Sequence, residues 1–285
     1  MKNILKVLIV GLFMLSLSGC SEDKLTNNEV YATIYPIEYL TDYLYGEERN
    51  VSSIYPRGAN VEDYELTDMQ KENYSQGGLF VYNGLTNEKE LAREFLSNNR
   101  DILLIDVSYG LNFEYAIEEL WLSPNNFLML AKNIRDNFID YTNSTVLIES
   151  IEARYAEIEE TLSFMDAELR SVATEAKSDG NPTLVVSSNK LAFLENYGFN
   201  IISLDEDISE DSIEDAFDEG TLTDIYLCDT DEETDFISLL ESDYDANIIR
   251  VDTLYTLTDE EASNNETYLT IMRDFIDNIR NTTLG

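Results

Sequence analysis

The chain has 285 residues, 44% of them hydrophobic and 11% aromatic, so it is long enough for two globular domains that each have a core. Its 57 acidic residues outnumber its 18 basic ones, and the resulting net charge of −39 argues against binding to nucleic acid or anionic surfaces. Histidine is absent, which excludes Ser–His and Cys–His nucleophilic pairs and every His-ligated zinc site.

The first 28 residues predict export and lipidation. A positive start is followed by an apolar run over residues 7–17, which is shorter than the roughly 20 apolar residues that a membrane-spanning helix needs. Leu-Ser-Gly-Cys at residues 17–20 is similar to the bacterial lipoprotein processing box. We therefore predict a signal peptide over residues 1–19 and, over residues 20–28, a lipidated Cys20 with a short polar tether.

The second cysteine, Cys228, lies in the apolar run Ile-Tyr-Leu-Cys at residues 225–228. This run predicts a buried strand. If Cys20 carries lipid, Cys228 has no partner for a disulfide within the chain.

Residues 29–142 alternate predicted strands with predicted helices and form a predicted N-terminal α/β lobe. The predicted strands cover residues 30–36, 51–55, 78–82 and 101–107. The predicted helices cover residues 37–45, 67–74, 88–96 and 124–138. Strands with a continuous apolar centre, such as the fourth, are typical of parallel sheets that are buried on both faces.

One long helix is predicted over residues 143–178. Its apolar positions recur in steps of three and four, which marks one face of a continuous helix. They are Ile148, Ile151, Tyr155, Ile158, Leu162, Met165, Leu169 and Val172. Ser144 or Thr145 suits the N-cap, and a breaker cluster at residues 178–182 ends the helix. About 33 helical residues span about 50 Å, which favours a rigid strut between two lobes over a coiled coil or a surface helix.

The same alternation resumes in residues 179–285, the predicted C-terminal lobe. The predicted strands cover residues 183–187, 199–204, 224–229 and 247–251, and the predicted helices cover residues 191–197, 210–217, 233–241 and 266–280. The pattern predicts an α/β fold with two doubly wound parallel-sheet lobes joined by one long rigid backbone helix. Ligands of such lobes bind outside the carboxyl ends of the strands.

Five short stretches carry a resemblance to a known family. They are Ala-Thr-Ile-Tyr-Pro at 32–36, Pro-Arg-Gly-Ala-Asn-Val-Glu-Asp-Tyr-Glu at 56–65, Val-Tyr-Asn-Gly-Leu at 81–85, Trp-Leu-Ser-Pro at 121–124, and Asp-Thr-Leu-Tyr at 252–255 onward to 268–273. In this order, after a lipoprotein start and around a central helix, they resemble the zinc- or manganese-carrying solute-binding lipoproteins of ABC transporters. The resemblance implies a metal ion held between two lobes by four side chains, commonly three histidines and an acid or two of each.

The resemblance places the four ligand positions on Glu62, Glu119, Ser187 (or Ser188 or Asn189, if the register slips) and Asp252. Only the acid at the fourth position follows the family pattern. Oxygen ligands suit manganese, calcium or magnesium, whereas zinc without nitrogen or sulfur ligands is a weaker fit. We therefore expect one divalent cation, with manganese, calcium, magnesium and zinc all open. The candidate cleft residues are Tyr35, Tyr64 and Trp121, and Arg57 is a candidate ion-pair partner of Glu62 or Asp63.

The expected function is that of a membrane-anchored, extracytoplasmic lipoprotein that captures a divalent cation and delivers it to an ABC transporter permease. We expect a monomer without enzymatic activity. The alternative is a non-transport surface lipoprotein, such as an adhesin or an assembly factor, on the same scaffold with a degenerate metal site. An acid/base hydrolase that uses Glu62 and Glu119 is a poor third hypothesis because no substrate-binding motif accompanies them.

Overall fold

The computed structural model describes Leu25 and residues 29–46, 50–206 and 208–285. The predicted signal peptide, the lipidation site Cys20 and the predicted tether except Leu25 lie outside these residues. Leu25 is buried against the first lobe, where its carbonyl accepts a hydrogen bond from the Tyr45 hydroxyl at 2.5 Å. One residue of the predicted tether therefore packs onto the folded protein.

The first lobe contains a four-stranded parallel sheet with the strand order β2-β1-β3-β4. Its strands are β1 (Val30–Ala32), β2 (Val51–Ser53), β3 (Leu79–Tyr82) and β4 (Leu103–Asp106). Its helices are α1 (Tyr35–Tyr45), α2 (Asp68–Ser75), α3 (Glu88–Asn98), α4 (Glu119–Leu122) and α5 (Pro124–Tyr141).

Helix α6 (Thr145–Asp179) follows and confirms the predicted strut. Ser144 is its N-cap, since the Ser144 side chain accepts a hydrogen bond from the Leu147 backbone N–H at 3.3 Å. Gly180, with φ 84°, ends the helix in the left-handed conformation that glycine adopts without strain. Every predicted apolar position of α6 is buried except Ile148, which is half-buried near the N-terminus of the helix.

The second lobe repeats the topology of the first with the strand order β6-β5-β7-β8, again all parallel. Its strands are β5 (Thr183–Val186), β6 (Asn200–Ser203), β7 (Asp224–Cys228) and β8 (Asn247–Val251). Its helices are a 3₁₀ helix (Asn189–Tyr197), α7 (Glu210–Asp218), α8 (Asp235–Tyr244), α9 (Asp259–Ser263) and α10 (Tyr268–Leu284).

The largest hydrophobic core runs through both lobes and α6. It joins Phe138 of α5 and Leu162 of α6 with Tyr226 and Ile276 of the second lobe. Two smaller clusters cover the outer faces of the sheets, one around Phe80 and Phe95 and the other around Val185 and Phe217. Each sheet is therefore packed on both faces, as a doubly wound lobe requires.

The predicted fold class is confirmed, with corrections at four elements. Helices α4 and α9 were not predicted, and the predicted helix over residues 191–197 is a 3₁₀ helix that begins at Asn189. The predicted strand over residues 30–36 ends at Ala32, because Tyr35 and Pro36 form the first turn of α1, where proline is tolerated. Cys228 lies buried in β7, as predicted. In the part of the chain that the structure describes, no helix is both long enough and apolar enough to cross a membrane.

A buried glutamate closes the turn between β3 and α3. Glu88 is 4% exposed, and its Oε2 accepts a hydrogen bond from the Asn83 backbone N–H at 2.7 Å. Burial raises the pKa of Glu88 from 4.5 to about 7, although the bond from Asn83 opposes the shift. Because the folded protein binds the Glu88 proton more tightly than the unfolded chain does, this proton contributes to the free energy of unfolding. The contribution is complete below pH 4.5 and is lost as the pH rises through 7.

We therefore expect Glu88→Gln to become more stable relative to wild type as the pH rises from 5 to 8. The neutral amide avoids the cost of a buried charge, and the change in relative unfolding free energy is at most about 3 kcal/mol. Urea unfolding of both proteins at the two pH values measures it. Glu149→Gln, an exposed position on α6, serves as the control and should show no such pH dependence. Equal pH dependence in the two variants would contradict the assignment to Glu88.

Truncation of the buried face of α6 should destabilise the whole protein. Leu162 is 0% exposed in the shared core, whereas Phe164 is 59% exposed on the opposite side of the same helix. We expect Leu162→Ala to lower the unfolding free energy by roughly 2–5 kcal/mol, since it leaves a cavity. The matched control Phe164→Ala should change it by less than about 0.5 kcal/mol. Similar losses in both variants, measured by urea unfolding, would show that α6 is not a core element.

Candidate functional site

The two lobes meet along a seam formed by the loops at the carboxyl ends of their strands. The Tyr35 N–H donates to the Tyr255 carbonyl at 3.0 Å, and the Gly58 N–H donates to the Leu257 carbonyl at the same distance. The Trp121 indole N–H donates to the Thr253 carbonyl at 2.8 Å. These direct bonds hold the loop after β8 against three separate segments of the first lobe.

Aromatic side chains lie beneath the seam. The Tyr268 hydroxyl donates to the Trp121 carbonyl at 2.6 Å, and the Tyr268 N–H donates to the Tyr35 hydroxyl at 3.0 Å. Tyr268 also stacks on Phe127, with 3.7 Å between the ring centroids. Two of the candidate cleft residues, Tyr35 and Trp121, are thus buried parts of the contact between the lobes.

The third candidate cleft residue, Tyr64, makes its contacts within the first lobe. Its hydroxyl accepts a hydrogen bond from the Gln70 side chain at 2.9 Å, and its ring meets the Tyr55 ring edge-on. It lines a cavity of about 410 Å³ on that lobe together with Glu65 and Lys71.

Glu119 holds a loop of its own lobe. Its Oε2 accepts hydrogen bonds from the backbone N–H groups of Glu114 and Tyr115 at 2.9 and 3.3 Å, and its Oε1 accepts from the Asn126 side chain at 3.2 Å. The preceding residue, Glu118, is the one that reaches the second lobe, where its carboxylate accepts a hydrogen bond from the Tyr255 hydroxyl at 2.8 Å.

Glu62 lies exposed on the loop after β2. The same loop is tied to the second lobe at Gly58 and at Ala59, whose carbonyl accepts from the Thr256 hydroxyl at 3.3 Å. Burial and the charges of Glu118 and Glu62 raise the pKa of Tyr255 well above its usual range. Tyr255 therefore stays protonated and has negative charge on its first-lobe side.

Ser187 lies buried just after β5 and is already bonded. Its hydroxyl donates to Asp231 Oδ2 at 2.6 Å and accepts from the Cys228 N–H at 3.0 Å. Asp231 forms an ion pair with Lys190 at 2.6 Å. Burial alone would raise the pKa of Asp231, but its bonds with Lys190 and Ser187 outweigh burial and lower it.

Asp252 faces the second lobe. Its Oδ1 accepts from the Leu254 N–H at 2.6 Å and thereby holds the left-handed Leu254 backbone, which has φ 64°. In the described part of the chain, its buried Oδ2 has no hydrogen-bond partner. Burial raises the pKa of Asp252, and the nearby carboxylates of Asp229 and Glu261 raise it further. It lines a cavity of about 480 Å³ beside α9 and α10.

Among the described residues, the hydrogen bonds of Glu119, Ser187 and Asp252 go to other residues and join no two of the four predicted ligands. Within the described ranges, no three acidic or cysteine side chains are arranged so that they could hold a metal ion. Metal ligation by Glu62, Glu119, Ser187 and Asp252 stays a prediction.

Four residues that make side-chain contacts at the seam were not among the predicted site residues, namely Glu118, Lys190, Asp231 and Tyr255. Scarcity is one signal that was available for Lys190. The chain has only 18 basic residues, so a lysine just after a predicted strand of the second lobe is conspicuous.

Two relatives of this chain are named for metal binding. A manganese-binding lipoprotein, MntA, of Halalkalibacterium halodurans is 22% identical over 220 residues, which are 72% of this chain and 71% of the relative. The iron-binding protein YfeA of Yersinia pestis is 25% identical over 195 residues, which are 62% of this chain and 58% of the relative.

Solved structures show the same fold. The metal-dependent lipoprotein YcdH of Bacillus subtilis superposes with a TM-score of 0.75 at 20% identity and covers 91% of this chain and 100% of the other. The zinc-bound ZnuA-like domain of AdcA from Streptococcus pneumoniae superposes with a TM-score of 0.73 at 18% identity. The match covers 90% of this chain and 99% of the other. The family described as ZnuA, "Zinc-uptake complex component A periplasmic", matches residues 30–282, and the chain therefore belongs to this family.

Proposed function

We propose that the protein is the extracytoplasmic solute-binding component of a metal-ion ABC transporter, anchored to the bacterial cell membrane through lipid on Cys20. As a monomer, it captures one divalent cation between its lobes and delivers it to the transporter permease. Family membership supports this proposal, as do relatives named for manganese and iron binding.

The observation that carries the proposal is the acidity of the seam. Glu62 and Glu118 come from the first lobe, and Asp231 comes from the loop after β7. The charges of Glu62 and Glu118 act on Tyr255, and the charges of Glu118 and Asp231 act on Lys190. Acids gathered at an interface in a chain of net charge −39 repel one another, and a bound cation relieves that repulsion.

We propose Glu62, Glu118 and Asp231 as the carboxylates that contact the cation. Within the described ranges they do not already form a metal site, so a local movement has to bring them together. Of the predicted ligands, Glu62 alone has an exposed side chain that accepts no hydrogen bond from the described residues. The other predicted ligands then have supporting roles. Glu119 fixes the loop before Glu118, Ser187 bonds to Asp231, and Asp252 fixes the turn before Tyr255.

The chemistry of these groups favours a hard cation. Carboxylate and hydroxyl oxygens are the ligands that manganese, calcium and magnesium prefer, while zinc sites are usually built from nitrogen and sulfur. We therefore propose that this chain differs from its zinc-binding relatives in the metal that it prefers.

Capture requires local movement more than wide opening. The lobes share one core along α6, and the direct hydrogen bonds from Tyr35, Gly58 and Trp121 join them at the seam. Breaking several buried bonds at once is costly, so we propose that the loop carrying Glu62 and the side chain of Lys190 move while the lobes stay together.

A second candidate is a surface lipoprotein on the same scaffold that no longer transports metal, such as an adhesin or an assembly factor. One observation favours it, because Glu118 and Asp231 already have partners within the protein in Tyr255 and Lys190. A structural neighbour from Streptococcus agalactiae, at 18% identity and a TM-score of 0.67, is described as bifunctional, with adhesin and metal transporting activity.

Thermal unfolding of the purified full chain in detergent, stripped with chelator, distinguishes these functions. A cation that binds only the folded protein stabilises it by about 2.7 kcal/mol at a hundredfold excess over its Kd. We expect this stabilisation with manganese, calcium or magnesium, and we expect Glu62→Gln to reduce it by roughly 1.4 kcal/mol, equivalent to tenfold weaker binding.

The matched control is Glu65→Gln, an exposed acid on the same loop, which should retain the full cation effect. A small stabilisation by every cation, equal in both variants, would mean general screening of the acidic surface. That result would remove the cation as the solute and would support the non-transport candidate.

Glu119→Ala should behave differently from Glu62→Gln. It deprives the Glu114 and Tyr115 N–H groups of their acceptor, so we expect a loss of roughly 1–3 kcal/mol in unfolding free energy without any cation. Urea unfolding of the chelator-treated proteins measures this loss. Unchanged stability without cation, combined with a lost cation effect, would instead make Glu119 a direct ligand.

A further inference from the structure

Lys190 places a positive charge among oxygen groups at the seam. Its Nζ donates to Asp231 Oδ1 at 2.6 Å and to Thr230 Oγ1 at 2.9 Å. The ammonium is held by these two bonds in a side chain that is only 16% exposed, and the charge of Glu118 also acts on it.

Asp231 links this ammonium to one of the predicted ligand positions. While Oδ1 accepts from Lys190, Oδ2 accepts from the Ser187 hydroxyl at 2.6 Å. The oxygens of Asp231 and Thr230 therefore hold the Lys190 ammonium at the carboxyl ends of the adjacent strands β5 and β7. In a doubly wound lobe, this edge of the sheet is where a ligand binds.

The pair between Lys190 and Asp231 is the least exposed ion pair in the described part of the chain, with side chains 16% and 14% exposed. The pair between Lys71 and Glu94 in the first lobe, at 28% and 42%, is more typical of the protein. Exposed pairs contribute little to stability, whereas the loss of one partner from a buried pair leaves an unpaired charge. Asp231 consequently needs a cation, and Lys190 supplies one.

We propose that Lys190 determines the cation specificity of the seam. Its ammonium is an internal cation bound to Asp231 and Thr230 beside Glu118, so that a divalent cation enters only by displacing Lys190. This inference rests on the proposed function and adds the competitor against which the solute must bind.

The competition selects by charge. A divalent cation brings two charges to the carboxylates of Asp231 and Glu118, whereas a monovalent cation brings only the single charge that Lys190 already provides. The flexible four-carbon stem of lysine allows the displaced ammonium to move into solvent, where it is strongly hydrated. Wild-type affinity is therefore weaker than the oxygen groups alone would give, and neutralising Lys190 should increase it.

The alternative is that the pair only fixes the start of the 3₁₀ helix against the loop after β7. In that case its loss would reduce stability and would leave cation affinity unchanged or lower. The two possibilities predict opposite effects on binding, so a titration separates them.

The purified, chelator-treated full chain in detergent is titrated separately with MnCl₂, CaCl₂ and MgCl₂, and calorimetry measures the binding. Trp121 fluorescence gives a second readout, since Trp121 is the only tryptophan and bonds to Thr253 at the seam. We expect Lys190→Met to bind at least one of these cations about tenfold more tightly or better than wild type. Lys190→Arg keeps the charge and should restore the weaker binding.

The matched control is Lys71→Met, which removes a lysine from an ion pair in the first lobe and should bind like wild type. Lys190→Gln gives the same test should Lys190→Met not fold, because the neutral amide can still donate to Asp231. Equal or weaker binding by the neutral variants would overturn the inference, as would equally tight binding by Lys190→Arg.

The outcomes also separate this inference from the proposed function. Binding by Lys190→Met with none by wild type would support the role of Lys190 and overturn cation capture by the natural protein. Binding by wild type that is unchanged in Lys190→Met would support cation capture and overturn the role of Lys190. Absence of binding in both proteins would overturn both.

Discussion

The apolar face of α6 is the constraint on which the rest of the structure depends. Ile158, Leu162, Met165 and Leu169 are fully buried in a core to which both lobes contribute. Neither lobe can move far from α6 without exposing that core, and exposure costs about 25 cal/mol for each Å² of apolar surface. The relative position of the lobes is therefore set by hydrophobic packing, and the polar seam forms within the space that packing leaves.

This origin of the seam explains its chemistry. Because the lobes are already in contact, the loop after β8 bonds directly to Tyr35, Gly58 and Trp121. Polar side chains at the strand ends must then satisfy one another when no cation is bound. The Tyr255 hydroxyl donates a hydrogen bond to Glu118, and the Lys190 ammonium forms an ion pair with Asp231. Buried acids are tolerated only with such partners.

The sequence predicts the fold well because its signals are local. The steps of three and four in α6 and the apolar strands require no knowledge of distant residues, and both lobes follow from their alternation. The missed elements, α4 and α9, have only four and five residues, too few to show a helical period. The predicted start of the 3₁₀ helix is two residues too late, since the boundaries of short elements depend on packing.

The site was less predictable because facing directions depend on contacts made far along the chain. Glu118 and Glu119 are neighbours at the start of a helix, where successive side chains point about 100° apart, so only one of them can face Tyr255, 137 residues away. The partner of Lys190 is likewise 41 residues distant. A resemblance can place ligand positions along a sequence, but in a chain without histidine the choice among adjacent acids belongs to the tertiary structure. Charge supplies the remaining constraint. With 18 basic residues against 57 acids the chain has few internal cations, and Lys190, half-buried in the 3₁₀ helix after β5, is one of them.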